Sequence, residues 1–271
     1  MSSGPRENTD RRYGAALTLF LIMCLLADHA NAGAWTLPAG ETQIITGVTY
    51  STANAKFGSS GAAPAQFRKI FAQSYVERGL TERLTLILVP EYATASEADP
   101  GHPVVHASDF AIEGGLRYRI TDAFGIFSAQ ASYKTSGGFD TPIAVVRKSG
   151  SETEARLLYG LNFGVFRRVA FVDAEVAQRW IAGARPDETV ADLTIGLHWS
   201  DKFTIMAQSF NIVSAGKGEP PYTYFRSHKV QLAFVQRLWK GVSLETGAYF
   251  SPAGQNALAE HGALAALWVH F

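Results

Sequence analysis

A chain of 271 residues, with 24 Lys plus Arg against 24 Asp plus Glu, is long enough for one large or two small domains and carries no formal net charge at pH 7. That balance argues against nucleic acid as a partner, which needs a basic surface. A single cysteine, Cys24, excludes a disulfide framework or a thiolate metal site within the chain.

The first predicted element is a processing segment. Arg11 and Arg12 form a basic n-region, the apolar run YGAALTLFLIMCLLA begins at Tyr13, and Ala30 and Ala32 are the small residues a signal peptidase reads. These features predict a cleaved signal peptide over residues 1–32 and a mature chain over 33–271. The alternative is an anchoring helix, but the run is short and is followed by Asp28 and His29 rather than a basic stop. Cys24 leaves with the signal. So do Arg6, Arg11 and Arg12 together with Glu7, Asp10 and Asp28, which keeps the remainder neutral. After residue 32 no run of about 18 apolar residues occurs, which excludes a membrane protein built of helices but not one built of strands.

From residue 41 onward the dominant pattern has period two. In FAIEGGLRYRI, Phe110, Ile112, Gly114, Leu116, Tyr118 and Ile120 share one face, and Ala111, Glu113, Gly115, Arg117 and Arg119 share the other. EARLLYGLNFGV (154–165) and ADLTIGLHW (191–199) repeat it. Side chains alternate across a strand, so this pattern gives each strand an oily and a polar side. Twelve such segments follow in order: 41–52, 67–78, 82–94, 108–120, 124–135, 152–165, 169–181, 188–199, 203–213, 227–238, 242–251 and 260–271. Each is about the 9–11 residues that a tilted strand needs to cross a bilayer. The expected fold is all-β: a transmembrane up-and-down antiparallel β-barrel of about twelve strands. A soluble sandwich or lipocalin-like barrel is the competing fold.

The connections alternate as well. GLT, TDA, FRR, SDK and WKG are tight turns, whereas SEADPGHPVVHA, SGGFDTPIAVVRKSG and SAGKGEPPYTYF are long. Outer-membrane barrels pair short periplasmic turns with longer extracellular loops, and an even strand count returns both termini to the periplasmic side. In that orientation Tyr118, Phe163, Trp199 and Phe271 form one interfacial aromatic belt, and Tyr50, Tyr133, Trp180 and Phe250 the other. The parity of 67–78 and of 203–213 is left open by the pattern.

Phe271, with Val269, Leu267 and Ala265 on its face, resembles the C-terminal signature of proteobacterial outer-membrane barrels, which ends in Phe and is read by the barrel insertion machinery. Val269 stands where an aromatic is more usual. ERGLTERLTL at 77–86, with the hairpin pattern, resembles the putative transporter barrels of the phenol-degradation meta-pathway family. That resemblance implies passage of small molecules across the outer membrane and assigns no residue roles. Expected partners are outer-membrane lipid, the insertion machinery and a small solute. No cofactor is implied, and a monomer is expected.

By parity the inward face carries Glu113, Glu154, Asp173, Glu175, Asp192 and Glu245 against Arg117, Arg119, Arg156, Arg179, Lys229 and Arg237. These are the candidate lumen residues. Two readings follow: a water-filled path for polar solutes, or a ladder of ion pairs that fills the lumen and stiffens the wall. WIAGARPDE, between Arg179 and Asp192, is either an extracellular recognition site or a solvated rim. A structural or adhesive barrel is the alternative to a channel.

Catalytic signals are sparse, and no enzyme is expected. FGSSG at 57–61 is not a nucleophile elbow, which centres its serine in G-x-S-x-G. His102 and His106 are two histidines without a third ligand, and no metal site is expected. Ser209, Asn211 and His228 form the sharpest constellation: all three outward near an extracellular end would suit an outer-membrane lipid hydrolase.

Overall fold

The computed structural model describes residues 33–58, 66–98, 104–136, 150–220 and 222–271. The signal peptide expected over 1–32 lies outside the described residues, as do His102, part of FGSSG, and the loop centres at 99–103 and 137–149. Among the described residues the chain forms twelve strands: β1 Thr42–Ala53, β2 Gln66–Thr81, β3 Leu84–Ala98, β4 Val105–Thr121, β5 Ile126–Lys134, β6 Glu152–Val165, β7 Arg168–Ile181, β8 Glu188–Ser200, β9 Phe203–Ser214, β10 Arg226–Trp239, β11 Val242–Gln255 and β12 His261–His270. Each pairs antiparallel with its sequence neighbours, and β1 pairs with β12 to close the barrel. Closure is what a sheet in lipid requires, because an open edge would leave backbone N–H and C=O groups without partners.

The expected segments match the strands within a few residues, and two differences have local causes. GLT at 79–81 is not a turn but the end of β2. The turn is Glu82–Arg83, held by Thr81 Oγ1, which accepts from the N–H groups of Arg83 (3.2 Å) and Leu84 (3.0 Å). At the other end of the chain β12 stops at His270, yet Phe271 still exchanges backbone hydrogen bonds with Thr42 at 2.8 and 3.0 Å. The β6–β7 turn, Phe166–Arg167, has φ of 47° and 64°, the left-handed pair that matches strand twist in a tight hairpin.

The oily face points outward. Val48, Leu86, Leu116, Leu157, Val176, Ile195 and Leu232 are all large, apolar and exposed, and the eight aromatics of the two expected belts are exposed with them. Thr46 and Ser74, polar members of this outer face, satisfy each other at 2.9 Å. A cation among the outward leucines has no such partner. Leu157→Arg is therefore expected to destabilise the folded barrel by about 2–4 kcal/mol in a bilayer, measured by urea titration in lipid vesicles.

The two strands of open parity are settled by their inward contacts. In β2 the odd residues face in: Phe67, Lys69 and Glu77 are buried, while Ile70 and Arg78 are exposed. In β9 the even residues face in: Met206 is buried, and Gln208 bridges Thr194 of β8 (3.3 Å) and Gln231 of β10 (2.7 Å). Apolar packing inside the barrel concentrates near the short-turn end, where Phe171, Met206, Ala233, Ala266 and Trp268 cluster with Trp35, Ile45 and Val235. A second cluster at the loop end seats Leu258 on Ala53, Phe67 and Ala95.

Candidate functional site: the charged lumen

The polar faces of the strands meet in three groups inside the barrel. The first surrounds Arg117 of β4, which is 2% exposed. Its Nη1 donates to Glu77 Oε1 (2.7 Å) and to the Trp35 carbonyl (3.1 Å). Its Nη2 donates to Tyr75 Oη (2.8 Å) and Gln130 Oε1 (3.0 Å), and its Nε to the same Gln130 oxygen (3.1 Å). A guanidinium has five N–H donors, and all five are used. Gln130 is placed by register, directly opposite Arg117 on β5. Tyr75 and Glu77 share the inner face of β2, two residues apart, and reach across β3.

The second group is a ladder up the inner wall of β6, β7 and β8. Arg156 pairs with Glu154 (2.7 Å), Asp192 (3.2 Å) and Glu175. Arg179 pairs with Glu154 (3.1 Å), Glu188 (3.1 Å) and Glu152 (3.5 Å). At the loop end Arg185 closes the ladder on Glu152 (2.8 Å) and Glu188 (3.0 Å). Among the described residues three arginines thus face five carboxylates, so carboxylates predominate along this wall.

In the third group, Lys229 of β10 (2.9 Å) and Lys69 of β2 (3.6 Å) converge on Glu260, in the loop before β12. Burial opposes ionisation of Glu260, but the two ammonium groups outweigh it and hold its carboxyl below the usual glutamate range. A depressed folded-state value contributes stability that is present above the ordinary glutamate titration and is lost as pH falls through the folded one. Acid titration of loop closure, followed by protease access to residues 256–260, is expected to show protection through mildly acidic pH and loss below it. A separate pair, Lys134 with Glu91 (2.7 Å), lies on the β3–β5 side.

The lumen is crossed near its short-turn end by the segment preceding β1. Gly40 and Ala39 are held at the rim by Gly79 O (2.8 Å) and Glu82 Oε1 (3.3 Å). The chain then turns inward. The Leu37 N–H donates to Thr85 Oγ1 (3.1 Å), the Ala34 carbonyl accepts from Ser128 Oγ (2.6 Å), and the Ala34 N–H donates to Asp173 Oδ1 (3.3 Å). These partners sit on β3, β5 and β7, so the segment is tied to several sides of the wall. The Trp35 ring stands edge-on to Phe171 at 6.1 Å, and a Cβ on Gly160 would lie 2.7 Å from it. The absence of a side chain at 160 makes room for the indole.

The structure brings Arg156, Glu154, Asp173, Glu175, Arg179 and Asp192 together on one wall and Arg117 beside them. Lys229 belongs to the third group, and Glu245 accepts instead from Trp268 Nε1 (2.9 Å). Arg119 reaches the Glu82 carbonyl at the turn (2.6 Å), Arg237 is exposed at the short-turn end, and Glu113 lies opposite Lys134. Sequence reasoning missed Lys69 and Glu77 because the parity of β2 was open. Glu152 and Glu188 were available from the parity of their segments, on the faces of Glu154 and Asp192. Arg185, Glu260 and the lumen segment lie outside the strands, where alternation carries no information. The solvated-rim reading of WIAGARPDE fits Ala182 and Gly183, which are exposed, but is corrected at Arg185, which is 3% exposed because two buried carboxylates draw it inward.

Ser209, Asn211 and His228 do meet, on the outer face at the loop end. His228 Nδ1 contacts Asn211 Oδ1 at 2.5 Å, and Asn211 Nδ2 donates to Ser209 Oγ at 3.0 Å. Asn211 therefore sits between the hydroxyl and the imidazole. A hydrolase needs the imidazole on the hydroxyl, with the amide behind it.

No family model matches the chain, and no curated protein matches it. Solved structures do. An outer membrane channel from Pseudomonas putida F1 superposes with a TM-score of 0.70 at 13% identity, covering 90% of this chain and 100% of that one. The translocator domain of the autotransporter NalP from Neisseria meningitidis gives 0.58 at 13% identity, over 97% and 98% of the two chains. The β domain of the Bordetella autotransporter Brka gives 0.54 at 14% identity, over 86% and 100%. The chain has the closed β-barrel fold that these outer-membrane proteins share. At these identities the likeness concerns the fold. The barrel shares it with a channel and with translocators, so its role rests on its own lumen.

Proposed function

We propose that this barrel is an outer-membrane channel for passive passage of small solutes, with a path along the acidic β6–β8 wall and a closure formed by residues 33–38. The observation that carries this reading is the composition of the wall. Among the described residues, five carboxylates stand with three arginines along it, a charged lining of mainly acidic groups that suits hydrated cations. The closure is a second support, since a segment held by a few hydrogen bonds and one ring contact is displaced more easily than a wall strand. The fold it shares with the outer membrane channel from Pseudomonas putida F1 is consistent with this reading. No covalent step is needed; selection comes from width and charge.

Purified barrel in planar bilayers is expected to give small, cation-selective currents, and removal of residues 33–38 is expected to raise them severalfold. A bilayer that stays silent with the full chain and with the shortened one would instead mark a structural or adhesive barrel.

A further inference from the structure

We propose that Asp173, with Glu175 beside it, is a receptor site for the chain's own α-ammonium group, created when the leader is cut before Gly33, and that this ion pair locks the lumen segment in place. Three observations converge on it. The leader pattern places the cut after Ala32, so Gly33 becomes the first residue. Gly33 is buried inside the barrel, and a Cβ on it would lie 1.5 Å from Asp173 Oδ2. With N–Cα and Cα–Cβ bonds of about 1.5 Å each, the Gly33 nitrogen lies within about 4.5 Å of that oxygen. Rotation about one free terminal bond brings it into ion-pair range. The Ala34 N–H, one residue on, already donates to the other oxygen of the same carboxylate.

Ionised, Asp173 needs such a partner. It is 5% exposed, it accepts from the Ala34 amide, and Glu175 lies two residues along the same inner face of β7. Among the described residues no lysine or arginine pairs with it directly: Arg156 serves Glu154, Glu175 and Asp192, and Arg117 serves Glu77. A buried carboxylate with a like charge beside it is costly unless a cation meets it. An α-ammonium provides that cation on a short, side-chain-free residue, the kind that fits the space beside Asp173. The arrangement makes closure conditional on processing, because an uncut chain has a neutral amide where the ammonium belongs.

The test uses the full chain, exported with its own leader and purified from the outer membrane. Intact mass is expected to correspond to residues 33–271, and an amine-acylating reagent near neutral pH is expected to label Gly33 about tenfold more slowly than in Asp173→Asn. Asparagine still accepts from the Ala34 amide, so the contrast reads charge alone. A second variant inserts two glycines between Ala32 and Gly33, leaving the wall intact and displacing the ammonium. It is expected to behave as Asp173→Asn does, with rapid labelling and increased protease access to residues 33–38. A different first residue overturns the proposal, as does equal labelling in all three proteins, or a shift in Asp173→Asn without one in the insertion variant. Labelling is read independently of transport, so failure of the channel reading and failure of this site are distinguishable.

Discussion

Replacing Arg117 with methionine is expected to destabilise the barrel by about 3–5 kcal/mol, the usual consequence of removing one partner from a buried ion pair. Arg117 is 2% exposed and Glu77 is 1% exposed, so water does not replace the lost guanidinium. The substitution strands the Glu77 carboxylate and removes the donors that Tyr75, Gln130 and the Trp35 carbonyl accept. Combining it with Glu77→Gln removes the stranded charge, and much of the stability is expected to return. Unfolding midpoints in urea, followed by the mobility shift of folded barrel on unheated gels, provide the measurement. A loss under about 1 kcal/mol in the single variant would show that water reaches Glu77 and that the group is not buried as described.

On the proposed channel reading, Gly160→Leu is expected to open the lumen without removing any group of residues 33–38. A Cβ at 160 meets the Trp35 ring at 2.7 Å, and two of the nearest remaining ring carbons lie at 2.9 Å, so a leucine and the indole do not coexist. Wall and ring differ in how they yield. Gly160 is paired to β5 and β7 by register, whereas the Trp35 ring, unlike its carbonyl, which Arg117 holds, has one edge contact and neighbouring apolar side chains. The ring is the part that moves. Overpacking of this kind costs about 2 kcal/mol, which shifts the ratio of closed to open lumen about thirtyfold. Single-channel recording is expected to show longer and larger openings. Trp35→Ala is expected to act similarly, and the two substitutions together are expected to do little more than either alone, because both remove one contact. Additive effects would place the closure elsewhere.

How much of this was legible before folding differs by element. Strand β6 was readable to the residue, because Glu154, Arg156 and Leu158 alternate cleanly against Ala155, Leu157 and Tyr159. Strand β2 was readable as a strand but not as a face. Phe71 and Tyr75 point inward and Ile70 and Val76 outward, and all four are apolar or aromatic, so composition does not rank them. The hydroxyl of Tyr75 decides the matter only once Arg117 stands opposite. Ser209, Asn211 and His228 were readable as neighbours on one face, but their order of contact, with the amide in the middle, is set by the register of His228 on Asn211.

Taken by itself, the amino-acid order determined the twelve strands, the outward oily face, the aromatic belts and most of the charges that point inward, because alternation with period two is a local property of the backbone. The tertiary structure decided which charges meet, that Arg185 and Glu260 turn in from loops to join them, and that residues 33–38 enter the lumen. The physical reason is that a side chain's face depends on its neighbours one and two residues away, whereas its partner depends on how the closed sheet is staggered and on what fills the space inside. Neither is encoded within any single strand.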